Sequence, residues 1–458
     1  MKKYITISIF ITFLLLVSCG KHTTTDSITN FTYNEPKGDY VSTNDGTISV
    51  SNERESSATS GDNPDEISTS EKLFSFLMSE CEKGDTSSLY KYFSDEMKEI
   101  VPVESINTLF LAPESIFGSM NGFINSKKGS YLSYTLYTAT VLYDNAEAAI
   151  ELYLDGTTIV GFNYNISFTK NFSRKITDTI TEEYFLLESG DYLLDAVYTH
   201  NDSESVPAFL LIPGSGPSDY NETVGFLSPF EDIAHKLAER GISSLRIEKR
   251  TCRNSESLTP QSTIADEYLT DFITAYEWLN SVPSVDSIYL LGHSLGAQIA
   301  LSIAEKCPVD GIAILNGTAR HLADVLSSQF VKSDSVNEEQ YNQIADQIKG
   351  ITDNSSNGTY YYGASDYYWA SYNNLYRENV LNSLDIPIII INSTMDEQLS
   401  ADDITSFKEL SERKNVQTVI LDNINHYGYT GSTFEEADYY QSLSYSDNVI
   451  DYIASLTK

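Results

Sequence analysis

The stretch Tyr289-Leu290-Leu291-Gly292-His293-Ser294-Leu295-Gly296-Ala297-Gln298 decides the fold. It joins the apolar run Ser287 to Leu291 to Leu295 to Lys306, where apolar residues recur at helical spacing, so a buried strand must turn abruptly into a helix at Ser294. Gly292 and Gly296 suit a turn so tight that a side chain at either would strike neighbouring backbone. Ser294 is thereby held up on the turn, near the amino end of the next helix, where unpaired N–H groups and the helix dipole favour developing negative charge.

Working outward, short runs rich in β-branched residues repeat at Val206 to Ile212, Ile242 to Ile247, Ser287 to Leu291, Gly311 to Leu315, Ile386 to Ile391 and Val416 to Leu421. Helices fit Pro229 to Arg240, Thr263 to Asn280, Leu295 to Lys306, Ala401 to Arg413 and Tyr445 to Leu456. This alternation predicts an α/β fold with a doubly wound, mostly parallel sheet, led by an antiparallel pair at Glu182 to Glu188 and Tyr192 to Thr199. Such a sheet carries its chemistry at the carboxyl ends of its strands.

A serine hydroxyl needs a base, and the base needs an orienting acid. Of the six histidines, His22 is near the start of the chain, His200 precedes the first parallel strand, and His235 falls within a helix. His293 is expected to point away from the reaction. His321 follows the fourth parallel strand, whereas His426 sits in Asn423-Ile424-Asn425-His426-Tyr427-Gly428 after the last one, which favours His426 as base. Asp396 lies in the loop past the Ile386 to Ile391 strand, while Asp402 and Asp403 are better placed to open the following helix. The candidate catalytic set is therefore Ser294, Asp396 and His426.

That chain order, with the G-x-S-x-G turn, resembles the bacterial α/β-hydrolases of the serine esterase type, and the resemblance covers residues 180–458. Leu211-Ile212-Pro213-Gly214-Ser215-Gly216-Pro217-Ser218-Asp219 is similar to that family's His-Gly-Ser-Gly-Pro oxyanion loop, with Pro213 standing where the family has histidine. The donors are backbone groups, so the resemblance implies the N–H groups of Ser215 and Leu295. The long stretch 318–385 resembles the family's helical cap, with Tyr361-Tyr362-Gly363-Ala364-Ser365 and Tyr368-Trp369 inside it. Its aromatic density would suit an aromatic acyl group or a sugar ring, but in a chain with 32 tyrosines packing is the favoured reading.

The chain opens MKKYITISIFITFLLLVS, a basic start and an apolar run too short for a membrane span, so residues 1–18 read as a signal peptide. Leu16-Val17-Ser18-Cys19 resembles the bacterial lipobox, which implies lipidation of Cys19 and an exported, outward-facing protein anchored to the cell membrane. Residues 19–69, polar and without apolar period, form a flexible tether. Residues 71–168 place two short helices, at LFSFLM and LYKYF, before a meander of strands at Tyr131 to Tyr143, Ala148 to Leu154 and Thr158 to Phe168. This small α+β domain resembles the nuclear-transport-factor-like domain of unknown function found ahead of some exported hydrolases.

With 29 Lys and Arg against 65 Asp and Glu, a net charge of −36, nucleic acid is excluded as a partner and the membrane is met only through the anchor. No H-E-x-x-H or G-x-G-x-x-G motif occurs, so neither metal nor organic cofactor is expected. The expected activity is cleavage of a small-molecule carboxylic ester through an acyl-enzyme. A serine peptidase or acyltransferase on the same three residues, and a non-catalytic surface binding lipoprotein, stand as alternatives.

Overall fold

The computed structural model describes residues 69–458, apart from 202, 204, 254–257, 334–337, 377–382, 408–412, 432–438, 440 and 441. Residues 1–18, Cys19 and most of the 19–69 segment lie outside the described residues.

The first helix, α1 (Ser70–Lys83), opens where the Thr69 hydroxyl accepts from Lys72 N–H and closes at Gly84, whose φ of 73° admits the left-handed turn. It buries Leu73, Phe74, Leu77, Met78 and Cys81, one helical face. Two more helices follow, α2 (Asp95–Ile100) and α3 (Ile106–Phe117), so the expected pair of helices is corrected to three. The LYKYF segment is a 3₁₀ turn, Ser87–Tyr92. An antiparallel meander then runs β1 (Met120–Tyr131), β2 (Tyr134–Tyr143), β3 (Ala146–Asp155) and β4 (Thr158–Phe168) in spatial order β1-β2-β3-β4. Strand β1 escaped the sequence reading for a physical reason: it is an edge strand interrupted by register shifts and exposed along most of its length, so it shows no alternation.

The second sheet has nine strands. Strands β5 (Phe172–Lys175), β6 (Ile180–Ser189) and β7 (Tyr192–Asn201) are antiparallel, and β7 also pairs antiparallel with β9 (Ser243–Ile247). From there β9, β8 (Val206–Ile212), β10 (Val285–His293), β11 (Gly311–Leu315), β14 (Ile388–Ser393) and β15 (Val416–Leu421) lie parallel in that spatial order. Strands β8, β9, β11 and β14 are buried along nearly their whole length, which is why they read as continuous apolar runs. Helices α4 (Pro229–Ala238), α5 (Thr270–Asn280), α6 (Gly296–Ala304) and Asp447–Ser455 cover the two faces. The expected doubly wound, mostly parallel α/β arrangement is present.

Two departures matter for the site. The expected helix from Thr263 begins as a π-type stretch, Ala265–Leu269, which turns the consecutive residues Glu267, Tyr268 and Leu269 inward before α5 starts. One face of the large sheet also shares its core with the first domain. Phe117, Phe168, Phe172, Tyr184 and Tyr220 form a continuous aromatic seam, with Phe172 stacked on Tyr184 at 4.4 Å.

The stretch expected to form a cap holds α7 (Leu322–Ser333), α8 (Glu338–Lys349), the ribbon β12 (Tyr360–Tyr361) with β13 (Ala364–Ser365), and α9 (Asp366–Leu375). Its aromatic residues pack. Trp369 and Tyr372 are buried, the Trp369 indole donates to Tyr361 O at 2.8 Å, and Tyr372 OH donates to Gln298 Oε1 at 2.5 Å. Among the described residues no helix is long and apolar enough to cross a membrane.

Candidate active site

The strand-to-helix turn explains its own composition. Ser294 has φ 53°, a left-handed conformation rare for a side-chain-bearing residue. A methyl on Gly292 would lie 2.6 Å from Ala297 Cα, and one on Gly296 would lie 2.7 Å from Pro213 O. Ser294 N–H donates to Leu315 O at 3.0 Å, tying the turn to β11. The serine faces the loop after β8: a methyl on Gly214 would come within 3.1 Å of Ser294 Cβ and 3.5 Å of its Oγ.

Asp396 and His426 meet. His426 Nδ1 lies 2.7 Å from Asp396 Oδ2, and Asp396 Oδ1 accepts from the N–H groups of Gln398 at 2.7 Å and Leu399 at 2.9 Å. Three donors therefore fix one carboxylate. A carboxylate accepts only, so His426 Nδ1 carries the proton and Nε2 is left with its lone pair. Burial pulls the His426 imidazole down, but the charge and hydrogen bond of Asp396, aided by Glu397 and Glu222, outweigh it and hold it above the ordinary histidine range.

Ser294 and His426 share the wall of one solvent-open cavity with Gly214, Ser215, Glu222 and Gln398. Gly214 N–H is consumed by Glu222 Oε1 at 2.6 Å, whereas no group among the described residues takes the N–H of Ser215 or Leu295. Leu295 N–H lies at the start of α6, where helix geometry leaves donors unpaired. The arrangement can therefore offer a strained serine, a histidine with a free lone pair, and two open backbone donors.

His293 corrects the expectation that it points away. It lines the cavity with its ring 4.6 Å from that of His426. Its Nε2 donates to the His426 carbonyl at 2.9 Å, and its Nδ1 lies 2.8 Å from Glu222 Oε1. Asn316 Nδ2 donates to the same carbonyl at 2.7 Å, so two side chains clamp the loop that carries His426. Sequence reasoning missed Glu222, Asn316 and Gln398. The acid shortly after the Gly-Ser-Gly-Pro loop was the only available signal. His321 sits apart, with Nε2 on Asn373 Oδ1 and Nδ1 accepting from Ala323 N–H.

Among the described residues, Glu182, Glu231 and His235 lie close enough to share a cation. The Arg246 guanidinium already bonds Glu182 at 2.5 Å there, and Tyr184 OH and His235 hold the same carboxylate, so the cluster is an ion-pair network.

No family model matches the chain. It is similar to an esterase. The Thermotoga maritima protein Esterase EstD is 27% identical over 372 residues, 79% of this chain and 89% of that protein. Among solved structures, Est1E from Butyrivibrio proteoclasticus is 14% identical over 60% of this chain and 98% of its own, with a TM-score of 0.41. A putative hydrolase from Agrobacterium vitis is 12% identical over 61% and 99%, with a TM-score of 0.40.

Proposed function

We propose that the chain is a carboxylic ester hydrolase working through an acyl-enzyme on Ser294. His426 Nε2 takes the Ser294 hydroxyl proton as Oγ attacks the ester carbonyl, and the imidazolium returns it to the leaving alcohol; water then repeats the cycle on the acyl-enzyme. Asp396 holds the tautomer, and the N–H groups of Ser215 and Leu295 receive the oxyanion. The observation that carries this reading is the 2.7 Å Asp396–His426 bond beside a serine held at φ 53° in a shared cavity. The similarity to an esterase supports the ester as substrate class.

Labelling with a fluorophosphonate, followed by mass mapping, tests it. Label is expected on Ser294, and is lost in His426→Ala; Ser294→Ala should abolish turnover of a short-chain aryl ester with the fold intact. Undiminished turnover in Ser294→Ala sinks the serine mechanism.

The same proposal includes export and a lipid anchor at Cys19, with residues 1–18 removed and 19–69 as tether to the domain at 71–168. The Leu16-Val17-Ser18-Cys19 pattern supports it. In cells, Cys19→Ala should move the protein from the detergent fraction to the aqueous one; retention in detergent overturns the anchor.

A further inference from the structure

Behind the loop Gly214 to Gly216 lies a set of buried polar side chains that the chemistry above does not use. Tyr268 OH donates to the Gly214 carbonyl. Lys249 Nζ donates to the Gly216 carbonyl at 2.6 Å and pairs with Glu267 Oε1, while its backbone N–H donates to Ser218 O at 2.9 Å. Lys249 Nζ also sits 3.8 Å from the centre of the Tyr268 ring. Lys249 and Tyr268 are both fully buried. The second oxygen of Glu267 accepts from Tyr368 OH at 2.6 Å, and Tyr368 belongs to α9 of the cap.

Peptide geometry turns these contacts into a functional statement. In a trans peptide the C=O of one residue and the N–H of the next point in opposite directions. Holding the Gly214 carbonyl toward Tyr268, which is outside the cavity wall, therefore aims the Ser215 N–H the other way, toward the side that Ser294 occupies. Gly216, at φ 82°, needs the left-handed conformation, and the bond from Lys249 fixes the peptide that follows it. Without these donors the buried Gly214 carbonyl and the half-buried Gly216 carbonyl would lose their partners, and the loop would be free to rotate its peptide planes.

We propose that Tyr268 and Lys249 are positioning residues that hold the Ser215 N–H in its oxyanion-binding direction, and that Tyr368 connects the cap to them through Glu267. This rests on the acyl-enzyme reading above. The packing of α9 is thereby tied to the Gly214 to Gly216 loop through Tyr368, Glu267 and Lys249, so loosening that tie acts on the rate of acyl transfer.

The test uses Tyr268→Phe and Tyr368→Phe in the full chain, with Ser294→Ala in parallel. Turnover of an aryl ester is normalised to active sites counted by fluorophosphonate labelling, and affinity is measured for an aryl boronic acid, whose tetrahedral adduct places an oxygen in the anion hole. Losing a whole oxyanion donor costs about 10² to 10³ in rate, so a misaimed one in Tyr268→Phe should cost at least about tenfold in kcat. KM should stay within about twofold, and boronate affinity should fall by the same factor as kcat. Tyr368→Phe should show the same pattern at about threefold. An unchanged kcat in Tyr268→Phe, a change confined to KM, or a kcat loss without the matching boronate loss each overturns the proposal. Turnover surviving in Ser294→Ala would instead overturn the acyl-enzyme reading, so the two failures are distinguishable.

Discussion

Replacing Asp396 by Asn isolates the strongest electrostatic contact in the site. The carboxylate accepts from His426 Nδ1 at 2.7 Å with both partners buried. A hydrogen bond to a charged group contributes about 1.5–3 kcal/mol, and one pKa unit corresponds to about 1.36 kcal/mol. Removing the charge should therefore lower the pH at which the histidine takes up its proton, because Asp396 is the main group holding it up against burial. The sign follows from the roles. The base must be neutral, so kcat/KM falls as pH drops below the His426 value, and in the wild type this limb lies above the ordinary 6.5 because Asp396 and its acidic neighbours outweigh burial. In Asp396→Asn burial weighs more heavily, and the limb moves to lower pH. The maximum rate should also fall by about 10⁴, since an amide that donates to Nδ1 leaves the proton on Nε2 and the wrong tautomer facing Ser294. The assay is kcat/KM for an aryl acetate between pH 4.5 and 9. A limb that stays in place, or moves up, refutes the reasoning.

Two further outcomes test the scaffold. Gly296→Ala drives a methyl into the carbonyls of Ile212 and Pro213, which belong to the end of β8 and the loop after it and cannot step aside as a side chain would; a loss of about 3 kcal/mol in urea unfolding is expected, with kcat falling in the fraction that folds. Arg246→Met removes the guanidinium that bonds Glu182, Thr199 and Asn221 in the interior and leaves the buried Glu182 carboxylate without its fully buried cation, so urea unfolding should show a loss of about 3 kcal/mol.

What the sequence made legible was whatever has a local signature. The strands β8 and β11 were readable to the residue because a parallel strand buried on both faces is a short apolar run with sharp ends. Ser294 was legible because two glycines flank it, and Asp396 and His426 because each follows a strand in the chain order that this sheet imposes. The rest lacks such a signature. Strand β1 is polar and exposed, so nothing in its pattern distinguishes it from a loop. Glu222 reaches His293 across 71 residues and Tyr368 reaches Glu267 across 101, contacts that exist only once the sheet and cap have assembled. His293 shows the limit of a motif: its position in G-x-S-x-G was clear, but the loop from the far end of the chain against which it packs was not.

The acidic surroundings of His426 impose a condition on the proposed chemistry. Asp396, Glu397 and Glu222 all favour its protonated form, so they stabilise the imidazolium that arises as Ser294 attacks. The same carboxylates oppose the oxyanion that forms at that moment. Glu222 is the most exposed to this conflict, because its Oε1 occupies the Gly214 N–H directly behind Ser294. Charge on the carbonyl oxygen must then be met by dipoles that are already aimed, since the site has no spare donor on Gly214 with which to compensate for a misplaced one. A loop whose carbonyls are pinned by Tyr268 and Lys249 meets that requirement, and a mobile loop in the same acidic setting would leave the anion facing carboxylates.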